Sequence, residues 1–259
     1  MSGTFSLAGL QAKLATEFVG RAAVYQERVG STMDLAREEA EGGAPDGMIV
    51  VADEQTRGKG RGGRSWVSPR GSNVYVTVVL RPDAATASSL AMIAPLAVCE
   101  AVDALAGVRS VIKWPNDVMI GGRKAAGVLI DLRFAGDEVD YALLGVGINV
   151  NFDPEQHEEI AALATSLKRE TGREVSREAV LRAFLERLEN LYVAARRGEN
   201  VVGAWKERLE TLGRRVSVRV GDRVEEGVAE DVDADGSRLL RRPDGSIVPL
   251  AAGDVTLDR

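Results

Sequence analysis

Four short apolar segments, separated by turn signals, constrain the fold more than any other feature of this 259-residue chain. They cover residues 110–113, 118–120, 124–133 and 139–151. Between them stand Pro115-Asn116-Asp117, Gly121-Gly122 and Gly136-Asp137, which are strong turn formers. Glycines between short apolar strands are typical of a largely antiparallel or mixed sheet.

Helical periodicity surrounds these strands. Leu7, Leu10, Leu14 and Phe18 predict a short amphipathic helix, and Ser31-Thr32-Met33-Asp34 predicts a capped helix that ends near Glu41. The remaining predicted elements are strands at 23–28, 48–52 and 73–80 and helices at 87–106, kinked at Pro95, 176–197 and 200–212.

The sequence pattern changes at Gly213. The alternation of Val216, Val218 and Val220 begins a series of short strands broken by glycine turns, which is typical of a small β-barrel. We therefore predict two domains, 1–212 and 213–259. We expect the terminal barrel to dock on the first domain, with Arg238, Arg241 and Arg242 facing an acidic partner.

The scarcity of histidine and cysteine restricts the chemistry that this chain can perform. His157 is the only histidine and Cys99 the only cysteine, which excludes a disulfide framework, a Cys/His zinc site and any two-histidine mechanism. We expect Cys99 to be a buried, inert thiol and His157 to be a solvated surface imidazole. Catalysis must then use Lys, Arg, Asp, Asn and backbone groups, which favours phosphate or acyl-phosphate chemistry.

The hydropathy pattern indicates where in the cell the protein is located. We find no run of about 18 apolar residues, and therefore expect no membrane span. The first 20 residues do not have the charged and apolar regions of a signal peptide, so we predict a cytoplasmic protein.

The strongest local anomaly is a basic, glycine-rich loop around residues 56–66. No acid occurs between Glu54 and Asp83, although the chain as a whole carries 39 acidic and 33 basic residues. The cations of this stretch are Arg57, Lys59, Arg61, Arg64, Arg70 and Arg81. Such a patch in a chain of net charge −6 favours a polyanionic ligand, and glycine amides can approach phosphate oxygens closely.

Several interpretations of this loop remain open. Gly58, Gly60 and Gly63 satisfy a dinucleotide fingerprint, but that motif needs a helix directly afterwards, and here Trp66, Pro69 and a strand follow. A nucleic-acid-binding loop and a solvated surface loop are further alternatives. We favour a loop that closes over a nucleotide phosphate.

Four motifs in a fixed order connect this loop to a family. They are Gly30-Ser31-Thr32-Met33-Asp34, the glycine loop, Lys113-Trp114-Pro115-Asn116-Asp117 with Lys124 in Gly-Arg-Lys-Ala-Ala-Gly, and Gly145-Val146-Gly147-Ile148-Asn149. This order resembles biotin protein ligase, the enzyme that attaches biotin to carboxylase carrier domains. The specific motifs span residues 24–151, and the rest of the chain resembles the family more loosely.

The resemblance implies a fold and a reaction. The fold is α+β, with a mixed, largely antiparallel sheet similar to class II aminoacyl-tRNA synthetases, followed by an SH3-like β-barrel. Biotin and ATP form biotinyl-5′-AMP with Mg²⁺, and biotin then passes to a lysine of a biotin carboxyl carrier protein.

The resemblance also assigns roles to residues. Ser31, Thr32 and Gln55 hydrogen-bond biotin, and Lys124 lies at its reacting carboxylate. The complete biotin-binding set is Ser31, Thr32, Gln55, Gly58, Lys59, Arg61, Lys124 and Gly127. The nucleotide-binding set is Arg64, Trp66, Asn116 and Asn149. Lys124, Arg61 and Asp117 are the catalytic residues, and Asp117 is also the weak Mg²⁺ ligand.

Alternative roles compete with some of these assignments. Ser31 is also a helix cap, Trp66 fits ordinary core packing, Lys124 fits a surface lysine, and Asn116-Asp117 is a good turn pair. The loop departs from the usual family pattern at Lys59 and Gly62, and a lysine lacks the planar fork of an arginine.

The resemblance also bears on partners and on rival functions. Because only about 24 residues precede the motifs, we expect a monofunctional ligase that does not bind DNA or a membrane, with a homodimer left open. A lipoate ligase and a nucleic-acid-binding module are the rival functions.

Overall fold

The chain forms a large α+β unit followed by a smaller sheet. The computed structural model describes residues 5–221, 223–251 and 253–257. The outer limits of the two predicted domains, residues 1–4 and 258–259, therefore lie outside the described residues.

Within the described ranges, the larger sheet has seven strands. They are β1 (Ala23–Gln26), β2 (Met48–Ala52), β3 (Val74–Leu80), β4 (Val111–Lys113), β5 (Asp117–Ile120), β6 (Arg123–Ala135) and β7 (Glu138–Ile148). Their spatial order is β1-β2-β3-β7-β6-β5-β4. β1 and β2 are parallel, and the other neighbours pair antiparallel. The prediction of a mixed, largely antiparallel sheet is confirmed.

The helices are α1 (Leu7–Lys13), α2 (Thr32–Glu41), α3 (Ala84–Ala106), α4 (Leu167–Thr171), α5 (Arg177–Arg196) and α6 (Val202–Lys206). α1 ends five residues earlier than the apolar spacing predicts, because Glu186 and Glu189 of α5 accept the backbone N–H groups of residues 15 and 17–19. α3 runs through Pro95, and the sequence did not predict α4.

The prediction of a helix over 200–212 is wrong. α6 has five residues, and the chain then runs beside the edge strand β4. The N–H of Ile112 donates to Arg208 O at 2.7 Å, and Glu210 N–H donates to Ile112 O at 3.0 Å. Backbone groups of this segment therefore pair with the sheet edge.

Helices cover both faces of the large sheet. Alternate strand residues point to opposite faces, so Ile49 and Val51 of β2 join the core with α3 and α5, whereas Met48 and Val50 pack with α2. The α2 face carries a smaller apolar cluster, which leaves room for polar side chains beside the N-terminus of α2.

α3 qualifies the expectation that no segment could span a membrane. By length and composition, it is long and apolar enough to cross one, with a mean hydropathy of 1.7 over 18 residues. However, 61% of that window is buried inside the protein, as expected for a core helix packed between a sheet and α5.

The smaller sheet contains β8 (Arg215–Val220), β9 (Arg223–Val232), β10 (Arg238–Arg241), β11 (Ile247–Leu250) and β12 (Asp254–Leu257). These strands pair antiparallel in the order β11-β10-β9-β8-β12. Val216 and Val218 are fully buried, as their alternation predicts. The predicted fold class, α+β with a C-terminal SH3-like barrel unit, is confirmed.

This terminal sheet packs against the larger unit. Trp114 Nε1 donates to Gly236 O at 3.1 Å, and Lys206 of α6 pairs with Asp231 of β9 at 2.5 Å. The expectation that Arg238 faces an acidic partner is wrong. Arg238 is fully buried, while Arg241 and Arg242 form ion pairs with Glu230 and Glu225.

Candidate active site

The centre of the site is an indole lying on two glycines. Gly127 of β6 and Gly147 of β7 are direct cross-strand partners. A Cβ atom on Gly147 would lie 2.5 Å from Cε2 and Nε1 of Trp66, and one on Gly127 would lie 3.1 Å from Cζ3. A side chain at Gly147 would therefore displace the ring, and one at Gly127 would crowd the ring and the end of Lys124. Among the described residues, the buried Nε1 of Trp66 has no hydrogen-bond partner.

Lys124 and Asp117 form an ion pair beside this ring. Their Nζ and Oδ1 atoms are 2.6 Å apart, and the side chains are 32% and 30% exposed. Nζ also lies 5.2 Å from the centroid of the Trp66 ring, within the range of a cation–π contact. Lys124 is therefore not an unattached surface lysine, because it lies between a carboxylate and an indole.

Both backbone groups of Lys124 form hydrogen bonds that fix its position. Its N–H donates to Leu163 O at 2.8 Å, and its carbonyl accepts from Thr165 N–H at 2.9 Å. The pairing of β5 with β6 shifts by one residue between Val118 and Met119. Such a bulge reorients neighbouring side chains, as is common beside active sites.

The glycine loop folds back on itself above the sheet. Trp66 N–H donates to Gly58 O at 2.9 Å, and Gly60 N–H donates to Arg64 O at 2.7 Å. A Cβ on Gly58 would lie 2.3 Å from Trp66 O, so this close approach requires glycine. Since residues 64–73 are not helical, the dinucleotide-fold interpretation of the motif is wrong.

Two cations anchor the loop to opposite sides of the site. Lys59 forms an ion pair with Asp34 in the first turn of α2. Arg61 Nη1 donates to Asn116 Oδ1 at 3.2 Å, next to Asp117. The loop thus connects the start of α2 with the turn between β4 and β5.

The positive charge of the loop region is smaller than the sequence suggests. Arg70 pairs with Glu27 at 2.5 Å, and Arg81 pairs with Asp140 at 3.5 Å. These acids, like Asp34, come from distant parts of the sequence, which a local charge count does not include. Arg61, by contrast, bonds to a neutral amide, so its charge remains available to an anion.

A chain of hydrogen bonds organises the predicted biotin-binding residues. Thr77 Oγ1 donates to Thr32 Oγ1 at 2.9 Å, and Thr32 Oγ1 and N–H donate to Gln55 Oε1 at 3.1 and 2.9 Å. Gln55 Nε2 donates to Ser68 Oγ at 3.0 Å, which in turn donates to Trp66 O at 3.0 Å. These bonds fix the orientation of the Gln55 amide.

Ser31 belongs to the same cluster and caps α2. Its Oγ accepts from Met33 N–H at 3.3 Å, and the side chain is buried. The predicted cap is confirmed. A hydroxyl that accepts one bond still has a proton to donate, so the cap does not prevent a contact with a ligand.

The side chain of Asn149 is buried, and both ends of its amide group already form hydrogen bonds within the protein. Its Nδ2 donates to Thr165 O at 3.0 Å, and its Oδ1 accepts from Asn73 Nδ2 at 3.3 Å. These bonds join the end of β7 to the start of β3 and to the segment that fixes Lys124. Asn116 is also anchored, because its Nδ2 donates to Val128 O.

The structure thus brings most predicted site residues onto the α2 face, but sequence reasoning missed several neighbours. They are Asp34, Ser68, Asn73, Thr77 and Thr165. Thr77 carried a detectable signal, since it is a hydroxyl inside the otherwise apolar β3 run. Ser68 and Thr165 lie in loops, where polar residues are ordinary.

The two residues that the sequence excluded from catalysis have different environments. Burial raises the pKa of Cys99 to about 11, so its thiol remains protonated and inert, as expected. His157 is half-buried rather than fully solvated, because its ring stacks on Phe152 with centroids 5.1 Å apart.

Comparisons with known proteins agree with this geometry. Residues 25–149 match the Biotin/lipoate A/B protein ligase family, and residues 211–258 match the biotin protein ligase C terminal domain. The bifunctional ligase/repressor BirA of Bacillus spizizenii is 32% identical over 98% of this chain and 80% of its own length. The biotin--[acetyl-CoA-carboxylase] ligase of Paracoccus denitrificans is 35% identical over 78% of this chain and 88% of its own.

A solved structure extends the likeness to three dimensions. The biotin protein ligase from Aquifex aeolicus, in complex with biotin and ATP, superposes with a TM-score of 0.78 at 28% identity. The match covers 92% of this chain and 99% of that one. The chain belongs to the biotin protein ligase family.

Proposed function

We propose that this chain is an ATP-dependent biotin protein ligase. The observation that carries this proposal is the Lys124–Asp117 pair, which lies beside Trp66 and above the Gly127–Gly147 cross-strand pair. A biotin carboxylate oxygen attacks the α-phosphate of ATP, the bond to the β-phosphate breaks, and pyrophosphate leaves. The amine of a carrier lysine then attacks the acyl carbon of biotinyl-5′-AMP, and AMP leaves.

Lys124 has the central role in the first step. Its ammonium group offsets the repulsion between the biotin carboxylate and the triphosphate, and stabilises the charge that develops on the α-phosphate. Because the Lys124 side chain is 32% exposed, an incoming anion can share its ammonium group with Asp117. Arg61 supplies a second cation from the loop.

The remaining predicted residues divide between the two substrates. Ser31, Thr32 and Gln55 offer donors and acceptors in a fixed array, which suits the ureido group of biotin. Gly58, Lys59 and Gly127 complete the biotin side. The nucleotide side consists of Arg64, Trp66, Asn116 and Asn149. Asn149 acts largely through its hydrogen bonds to Asn73 and Thr165, which join the end of β7 to neighbouring segments.

Mg²⁺ fits this site only as a companion of ATP. Among the described residues, no three His, Cys, Asp or Glu side chains are grouped as a metal site, and Asp117 is the carboxylate paired with Lys124. Magnesium is commonly held by one or two carboxylates together with substrate phosphates, and Asp117 can supply such an oxygen. When bound, the ion neutralises phosphate charge.

The partner in the second step is a biotin carboxyl carrier protein, and we place the reaction in the cytoplasm. We also propose that 1–212 and 213–259 are the two domains. Sedimentation distinguishes a monomer from the homodimer that we leave as an alternative.

The direct test is incubation with ATP, biotin and a carrier domain, followed by mass spectrometry. We expect biotinyl-5′-AMP and one labelled carrier lysine. Lipoate in place of biotin serves as the matched substrate control and should give no labelled lysine. Labelling by lipoate alone would support a lipoate ligase, and labelling by neither compound would refute both functions.

A further inference from the structure

Arg238 of β10 is a buried cation in an unusual setting. It has no exposed surface, and its Nη2 donates to Thr211 Oγ1 at 2.5 Å. Nε and Nη1 are buried without a hydrogen-bond partner among the residues that the structure describes. The guanidinium carbon lies 4.9 Å from the centroid of the Trp114 ring.

Packing alone does not explain an arginine at this position. A buried guanidinium with unsatisfied N–H groups and no counter-charge is unfavourable, and this burial lowers its pKa to about 10. Leu240, two residues along β10, is also fully buried and shows that an apolar side chain suits this sheet. Two contacts distinguish Arg238 from an apolar residue: the hydrogen bond to Thr211 and the cation–π contact with Trp114, and only the second leads to the candidate site.

Trp114 belongs to the larger unit, directly after β4, yet residues of the terminal sheet contact it from two directions. Arg238 lies over the face of the indole, and Gly236 O accepts from its Nε1 at 3.1 Å. Trp114 is 2% exposed and directly precedes Pro115-Asn116-Asp117. Asn116 accepts from Arg61, and Asp117 pairs with Lys124.

We propose that Arg238 is a positioning residue, which fixes the Asn116-Asp117 turn by holding Trp114 against the terminal sheet. This inference rests on the proposed function, because that function gives the turn its catalytic use. Arg238 touches neither the reacting groups nor the Ser31, Thr32 and Gln55 cluster. Its loss should therefore lower the rate of chemistry and leave biotin binding almost unchanged.

The main test compares Arg238→Met with Arg241→Met in the full chain. Methionine keeps much of the apolar volume but removes the cation and the bond to Thr211. We expect kcat to fall about 10- to 100-fold in Arg238→Met, the scale of a small misplacement of catalytic groups, with the KM for biotin within about twofold. Arg241→Met, on the same strand with an exposed side chain, should match the wild type.

Stability distinguishes positioning from a purely structural role. Removal of a buried unpaired charge should leave the thermal midpoint unchanged or raise it, so stability and activity should move apart. Arg238→Lys keeps a cation over the ring and should retain more kcat than Arg238→Met. If activity in these variants simply follows a lowered midpoint, the proposal is overturned.

Hydrogen exchange of residues 111–120 provides a readout that does not depend on activity. We expect faster exchange in Arg238→Met than in Arg241→Met. Equal exchange together with equal kcat would refute the proposal. If Arg238→Met does not fold, Trp114→Phe removes the bond to Gly236 O and should show the same two effects. If the wild type forms no biotinyl-5′-AMP while exchange still rises, the proposed function fails and the contact with Trp114 stands.

Discussion

The described part of the chain contains two cation–tryptophan pairs with similar geometry and different surroundings. Lys124 lies 5.2 Å from the ring centroid of Trp66, and Arg238 lies 4.9 Å from that of Trp114. Lys124 is partly exposed and has a carboxylate partner, whereas Arg238 is buried and has none among the described residues. A cation of the first kind can exchange partners during a reaction. A cation of the second kind can only hold its neighbour in place.

Removal of the exchangeable cation should have the largest effect. We expect Lys124→Ala to slow biotin-dependent pyrophosphate release by about two to three orders of magnitude, the scale of one lost transition-state charge stabiliser. Biotin affinity, measured by calorimetry, should change far less, because Ser31, Thr32 and Gln55 remain. Stability should also change little, since the ion pair is partly exposed.

The matched control for Lys124→Ala is Lys168→Ala. Lys168 is also a partly exposed lysine in an ion pair, with Glu174 at 3.5 Å, but it is not part of the site. Its loss should leave pyrophosphate release unchanged. Near-normal release in Lys124→Ala would exclude the proposed role and make the two lysine variants equivalent.

Displacement of the active-site indole should have the next largest effect. A methyl group on Gly147 would lie 2.5 Å from Trp66 Nε1, so Gly147→Ala must move the ring. We expect the KM for ATP to rise about tenfold, equivalent to about 1.4 kcal/mol of binding free energy.

Gly203→Ala is the control for this substitution, because a Cβ on that helical glycine would meet nothing within 4 Å. Alanine at this position should be neutral or slightly stabilising. An unchanged KM for ATP in Gly147→Ala would show that Trp66 does not contribute to nucleotide binding.

A second exchangeable cation, Lys59, should give a smaller effect. Asp34→Asn removes its carboxylate partner and loosens one of the two attachments of the loop. We expect biotinyl-5′-AMP to dissociate about two- to fivefold faster, because an exposed ion pair contributes less than about 1 kcal/mol. Asp131→Asn is the control. Asp131 also pairs with a residue of α2, Arg37, but this ion pair does not involve the loop. If both variants release the intermediate at the wild-type rate, the Lys59–Asp34 contact does not restrain the loop.

Lys124 and Arg238 also illustrate which features of this protein could be predicted from its sequence. The strands, the glycine loop and Lys124 depend on local patterns and ordered motifs, and sequence identified them. Asp34 as the partner of Lys59, and Thr77 as the partner of Thr32, depend on chain segments 25 and 45 residues apart. The burial of Arg238 depends on how the terminal sheet meets Trp114. An alternating strand pattern does not contain that information, so arginines expected at the surface include one that lies inside.

The smallest expected effect concerns an exposed ion pair at the same seam as Arg238. Lys206 of α6 hydrogen-bonds Asp231 of β9 and lowers the pKa of that carboxyl, with a further contribution from Val232 N–H. A carboxyl with a depressed folded-state pKa stabilises the fold above its unfolded pKa, and this contribution is lost as the pH falls through the folded value. Asp231→Asn should therefore lower the free energy of unfolding by at most about 0.5 kcal/mol near pH 7, because the pair is largely solvated. In urea titrations, the difference from the wild type should shrink below about pH 4 and also decrease in high salt. A larger loss at pH 7 that disappears at low pH would mean that this pair, rather than the buried Arg238 contact, is the main attachment between the two sheets, whereas a loss that persists at low pH would not come from the ion pair.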